Sequence, residues 1–190
     1  IEIVLHKGDV TPAQPKVGSK PDTDVQTPRT TEVTAKHVYS TEDLFKIVSP
    51  SIVMLIPVFD LKYPDGTVSK HTLGHGSGFA IHGRGLVPNN SSLILTNAHV
   101  AEQGHMAGHL PFAMELEEDY GIELLDVTLY GIVQGIDGPR LVKANEKYFA
   151  PQGSSIDLAL LQLDNVELPP LQLESSNPNI GVDVAVIGYR

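Results

Sequence analysis

The chain has 190 residues, 41% of them hydrophobic and 19% charged, which is enough apolar content for one packed domain and perhaps part of a second. It contains no cysteine, which excludes a disulfide framework, a thiol nucleophile and a cysteine–zinc site, and fits a cytosolic or a periplasmic compartment equally well. A formal net charge of −10 argues against a nucleic-acid or anionic-membrane binder, and no run of about 18 apolar residues is present to span a bilayer.

Residues 1–40 read as an extended Pro/Thr-rich arm or linker. Pro12, Pro15, Pro21 and Pro28 punctuate a segment rich in threonine and poor in apolar anchors. The alternative is an arm that packs along the domain surface. Ile1, in place of an initiator methionine, points to a processed or excised product. At Ser40-Thr41-Glu42-Asp43 the texture changes to a helix N-terminus, with a hydroxyl cap and acids in the first turn. Leu44, Ile47 and Val48 fall at helical spacing until Pro50 stops the helix.

From Ser51 onward the pattern is that of β structure. Ile52–Phe59 is an apolar strand in which Pro57 predicts an edge position or a bend. Tyr63-Pro64-Asp65-Gly66 is a turn, because proline presets φ and glycine accepts a positive one. Strands are expected at Gly76–Ile81, Ser92–Thr96, Leu124–Gln134, Leu158–Leu163 and Asp183–Ile187. No lysine or arginine occurs between Arg84 and Arg140, whereas Glu115, Glu117, Glu118, Asp119, Glu123 and Asp126 cluster there. The stretch reads as a solvated acidic loop. A hard-cation site is the alternative, although the spacing matches no EF-hand.

Two segments can carry chemistry. In Leu93-Ile94-Leu95-Thr96-Asn97-Ala98-His99-Val100 an apolar strand delivers a histidine at its end, where its ring can face a reactant. In Ser154-Ser155-Ile156-Asp157-Leu158-Ala159 an aspartate stands where a loop enters an apolar strand. Each has a plainer structural role, a satisfied histidine in one case and a turn aspartate capping its own backbone in the other. The functional reading is that Asp157, partly buried, accepts Nδ1–H of His99, fixing the imidazole tautomer and stabilising the imidazolium. His71 and His75 are four residues apart, as are His105 and His109, and zinc is often held by such pairs. Four residues of extended strand span about 13 Å, too far for one ion. No metal and no cofactor is therefore expected, and a metal-binding β protein is the weakest of the functional readings.

Taken in order, Gly76-Ser77-Gly78-Phe79, Thr96-Asn97-Ala98-His99-Val100, Asp157-Leu158-Ala159-Leu160 and Val186-Ile187-Gly188-Tyr189 resemble the landmarks of trypsin-like (chymotrypsin-fold) serine proteases. The likeness is greatest to the HtrA-like bacterial branch and covers residues 41–190, about everything except the arm. It implies an all-β fold: an antiparallel β-barrel, the first of a two-barrel domain, with a short N-terminal helix and an extended N-terminal arm. It also implies a serine endopeptidase in which His99 is the general base and Asp157 its orienting partner. The expected partners are a protein or peptide substrate and the second barrel, with oligomers possible, no nucleic acid and no membrane segment in this chain. The expected location is periplasmic or secreted.

There are departures from the family pattern. The family's G-x-S-G-G is absent from these residues, and Ser77 belongs to a strand landmark rather than to such a motif. The serine-bearing half is expected to follow Arg190, and the 190-residue chain alone is expected to be inactive. The interval between His99 and Asp157 is long for the branch, and the surplus coincides with the acidic stretch, so an enlarged surface loop is expected there. Ile1-Glu2-Ile3-Val4 resembles an activating N-terminus only superficially, since the glycines that should follow are missing. A non-catalytic binding module built on one barrel is the alternative function.

Overall fold

The structure, a computed structural model, describes residues 40–135, 138–150, 155–173 and 186–189. The expected arm up to residue 39, Ser154 and residues 183–185 of the expected last strand lie outside the described residues.

Helix α1 (Thr41–Val48) begins as the sequence predicts. The Asp43 N–H donates to Ser40 Oγ at 3.1 Å, and the Ser40 N–H donates back to Asp43 Oδ2 at 3.3 Å. Both orphan donors are thus satisfied reciprocally, as in a capping box. Val48 anchors the helix in the core, and Pro50 falls in a single 3₁₀ turn, Ser49–Ser51, that leads into the sheet.

Among the described residues seven strands follow: β1 (Ile52–Lys62), β2 (Val68–Thr72), β3 (Gly76–Ile81), β4 (Ser92–Thr96), β5 (Glu123–Gly135), β6 (Gly138–Phe149) and β7 (Ala159–Leu163). All pair antiparallel. The order β1-β3-β4-β7-β6-β5 returns to β1 through the β1–β5 ladder, which closes a six-stranded barrel and leaves β2 outside on β1. Closure removes the open edges on which unwanted strand pairing would begin. The expected barrel fold is therefore what the residues form.

Pro57 was expected to mark an edge or a bend, but β1 is flanked on both sides. On one side Pro57 faces Leu129 of β5. On the other it falls between Leu55, the last residue paired with β3, and Val58, the first paired with β2. Proline is tolerated at this change of partner, where the ladder is already interrupted. The turn at Tyr63–Gly66 is confirmed: Gly66 has φ 86° and its N–H donates to the Tyr63 carbonyl at 2.9 Å.

Val53, Leu55, Ile94, Leu161 and Leu163 fill the barrel and are at most 2% exposed. Fully burying each such side chain contributes about 1.5–3 kcal/mol. At Gly78 a Cβ would lie 2.5 Å from Ile94 Cγ2 and 3.2 Å from the Leu95 carbonyl oxygen, so only glycine lets β4 close on β3.

Three elements go beyond what the sequence suggested. β2 is a mostly exposed flank tied by Lys70 to Asp60 at 2.5 Å. β6 alternates poorly and carries Arg140, Lys143, Glu146 and Lys147, so its pattern is not that of a half-buried strand. The acidic stretch is not a loop but contains helix α3 (Leu110–Tyr120), with Pro111 in its first turn and Gly121 at φ 64° ending it. The Gly121 and Ile122 N–H groups return to the Glu117 and Leu116 carbonyls at 3.0 and 3.1 Å. Phe112 and Leu116 lie on a small cluster around Phe59, Leu61 and Val127, which turns the glutamates outward. Among the described residues, no helix is long and apolar enough to cross a membrane.

Candidate functional site

The site is set by one register. Thr96, the last residue of β4, pairs with Ala159, the first of β7. The residues that leave β4 and those that enter β7 therefore share one end of the barrel. Thr96 is fully buried, and its Oγ1 donates to the Ser77 carbonyl at 2.8 Å, tying that end of β4 to β3.

His99 does not end the strand, as the sequence suggested. It is the second residue of a short helix, α2 (Ala98–Glu102), that starts immediately after the extended Asn97. The reason lies in packing. Val100 and Ala101 are buried, so the chain must turn back onto the barrel as soon as it leaves β4. A Cβ on Gly76 would sit 2.4 Å from Val100 Cγ1, so the first glycine of Gly76-Ser77-Gly78-Phe79 is the seat for α2. Any side chain there would displace Val100 and, through it, the neighbouring His99.

Asp157 stands two residues before β7, and its carboxylate meets His99 at two points. Oδ2 lies 2.7 Å from His99 Nδ1, and Oδ1 accepts the His99 backbone N–H at 3.0 Å. A separation of 2.7 Å to a carboxylate places the proton on Nδ1, which leaves Nε2 as the free base of the neutral ring. The Asn97 amide adds contacts of 3.1 Å to Oδ2 and 3.2 Å to the Asp157 carbonyl.

These donors hold the Asp157 carboxyl below the ordinary aspartate range. The backbone N–H of His99 is the largest cause; desolvation opposes it, and the His99 ring and the Asn97 amide add to the lowering. The Asp157 side chain is half-buried, 49% exposed, and that of His99 is 66% exposed. The pair lies at the end of the barrel where β4 stops and β7 starts.

The remaining candidates disperse. Ser77 Oγ accepts the Tyr189 N–H at 2.7 Å, so this hydroxyl secures the Ile187-Gly188-Tyr189 segment. Ile187 packs against Val48, Ile52, Phe79 and Leu171, so this landmark is a packing feature and, among residues 186–189, not a strand. His71 Nε2 bonds Tyr63 Oη and Ser69 Oγ, and His105 Nε2 meets Glu146 Oε2 at 2.8 Å. His109 donates to the Gln103 carbonyl while its ring stands edge-on to Phe59. His71, His105 and His109 thus each have their own partner, and among the described residues no group of three or more histidine or acidic side chains is placed to hold a metal ion. Two contacts the sequence did not disclose are the bond from the His99 N–H to Asp157 Oδ1 and that of the Asn97 amide. Asn97 stood in the histidine motif, but its bond crosses from the end of β4 to the segment that enters β7.

A family model described as a trypsin-like peptidase domain matches residues 76–190, a span that includes the Gly76–Phe79 strand, His99 and Asp157. A search of curated proteins finds no match.

Proposed function

Because the chain belongs to the trypsin-like peptidase domain family, we propose that it supplies the histidine and aspartate of a serine endopeptidase, His99 as general base and Asp157 as its orienting partner. The observation that carries this reading is the 2.7 Å contact between His99 Nδ1 and Asp157 Oδ2, which leaves Nε2 as the ring nitrogen available to take a proton. In the proposed mechanism a serine hydroxyl from the second barrel attacks a peptide carbonyl. Its proton passes to Nε2, and Asp157 stabilises the imidazolium without itself taking the proton. The imidazolium then protonates the leaving amine. Water repeats the sequence on the acyl-enzyme, returning the acid product and free serine.

Exposed Ile156 and Leu158 flank Asp157 and fit a second barrel docking over the pair. That docking would supply the nucleophile and further burial for the half-exposed Asp157. The order of landmarks also favours the HtrA-like branch and, with it, a periplasmic or secreted enzyme acting on protein or peptide substrates.

The test uses the chain alone and the chain fused or mixed with its second barrel. The two-barrel protein is expected to label with a fluorophosphonate and to cleave casein, and the 190-residue chain is expected to do neither. His99→Ala in the two-barrel protein should lower kcat by about 10⁴-fold or more. Undiminished labelling and turnover in His99→Ala would remove His99 from the mechanism. No hydrolysis by the wild-type two-barrel protein would favour the binding-module reading instead.

A further inference from the structure

The proposed chemistry requires Asp157 to hold one orientation, yet half of its side chain is open to water. An exposed carboxylate ordinarily samples several rotamers, and each departure breaks the bond to Nδ1. The helix that carries His99 contains an unusual exchange of roles.

Asn97 occupies the N-cap of α2, where an asparagine side chain normally accepts an N–H from the first turn. It makes no such bond. The donor at the second helical position is the N–H of His99, and Asp157 Oδ1, two residues before β7, takes it at 3.0 Å. Asn97 instead turns its amide to Asp157, with Nδ2 3.1 Å from Oδ2 and 3.2 Å from the Asp157 carbonyl oxygen. Both of those partners are acceptors only, so the end of the amide facing them must be the donating NH₂.

We propose that Asn97 is a positioning residue for the His99–Asp157 pair: it leaves the helix cap to Asp157 and clamps the carboxylate and its backbone in return. Oδ2 then receives two N–H groups and Oδ1 one, a set that a single rotamer satisfies. The backbone contact also holds the approach to β7 against the end of β4, so His99 and Asp157 move as one body. This role rests on the endopeptidase reading for its purpose but not for its geometry.

Asn97→Asp separates this role from ordinary helix capping. The substituted side chain has nearly the same shape and is an equally good N-cap, but it cannot donate, and it places a second negative charge beside Asp157. The measurements are the downfield Nδ1–H proton resonance of His99 and the carboxyl ¹³C titration of Asp157 in the 190-residue chain. In Asn97→Asp the resonance is expected to disappear and the Asp157 midpoint to move upward, with the melting temperature unchanged or raised. Asn97→Ala should also lose the resonance. In the two-barrel enzyme, Asn97→Asp should lower kcat about tenfold, the worth of one hydrogen bond to a charged group, with KM unchanged.

A retained resonance and an unmoved midpoint in Asn97→Asp overturn the proposal, whatever the enzyme does. A two-barrel enzyme without activity, in which Asn97→Asp still abolishes the resonance, refutes the endopeptidase reading and leaves the role of Asn97 standing.

Discussion

The barrel wall and the excursion between β4 and β5 hold their side chains in different ways. In the wall, Leu55, Ile94 and Leu163 are fully buried within a closed ladder, and at Gly131 a Cβ would come within 2.8 Å of Val53. In the excursion, α3 has no fully buried residue, and Leu110, Met114 and Tyr120 are more than half exposed. The contrast does not divide the chain at the end of β4. The first helix of the excursion, α2, buries Val100 and Ala101 and is pinned by Asp157 from the segment entering β7, so it belongs energetically to the wall. His99 therefore rides on the rigid part of a segment whose later part is a surface appendage. The general-base role proposed for His99 would require its position to be kept to within a fraction of an ångström, and of the two helices α2 is the one held against the wall.

The largest effect should come from the wall. Leu163→Ala opens a void in a core with no slack and is expected to destabilise the chain by about 2–5 kcal/mol, read from urea unfolding. A loss below about 1 kcal/mol would mean that the wall is no better packed than the excursion.

The joint between the two regions should respond to acid. Asp157 has a lowered folded pKa, so its contribution is fully present above the ordinary aspartate value of about 4 and is lost as the pH falls through the folded value. Asp157→Asn should therefore be less stable than the wild type near neutral pH, and the two urea midpoints should converge as the pH drops below about 4. A gap that stays constant with pH would detach α2 from Asp157. The smallest effect belongs to α3. Met114→Ser changes an exposed side chain and should alter stability by no more than about 0.5 kcal/mol. A larger cost would show that α3 is packed against something that the described residues do not include.

Much of this arrangement could be read without coordinates. Ser40-Thr41-Glu42-Asp43 specified its helix start because a capping box is a purely local device. β3, β4 and most of β5 were legible from apolar runs bounded by glycine and polar residues. α3 was written locally too, in Pro111, in Phe112 and Leu116 four apart, and in Gly121, but its row of acids masked the helical period. β6 was not legible, since its pairing with β5 and β7 outweighs a composition that favours no strand. At the site, His99 and Asp157 were identified by residue type and order. The short helix under His99 was not, because it forms where Val100 finds the bare backbone of Gly76.

Periodicity and glycines by themselves placed most of the strands, because they are local properties of the chain, while the barrel class and the two residues on which the proposed chemistry depends came from the order of motifs and the family resemblance it carries. Only the tertiary structure decided that the Thr96–Ala159 register brings Asn97, His99 and Asp157 to one end of the barrel. It also decided that Asp157 rather than Asn97 takes the N–H of His99. Those contacts join residues about sixty positions apart, and hydrogen bonds across such a distance exist only once β4 and β7 lie side by side in the closed wall.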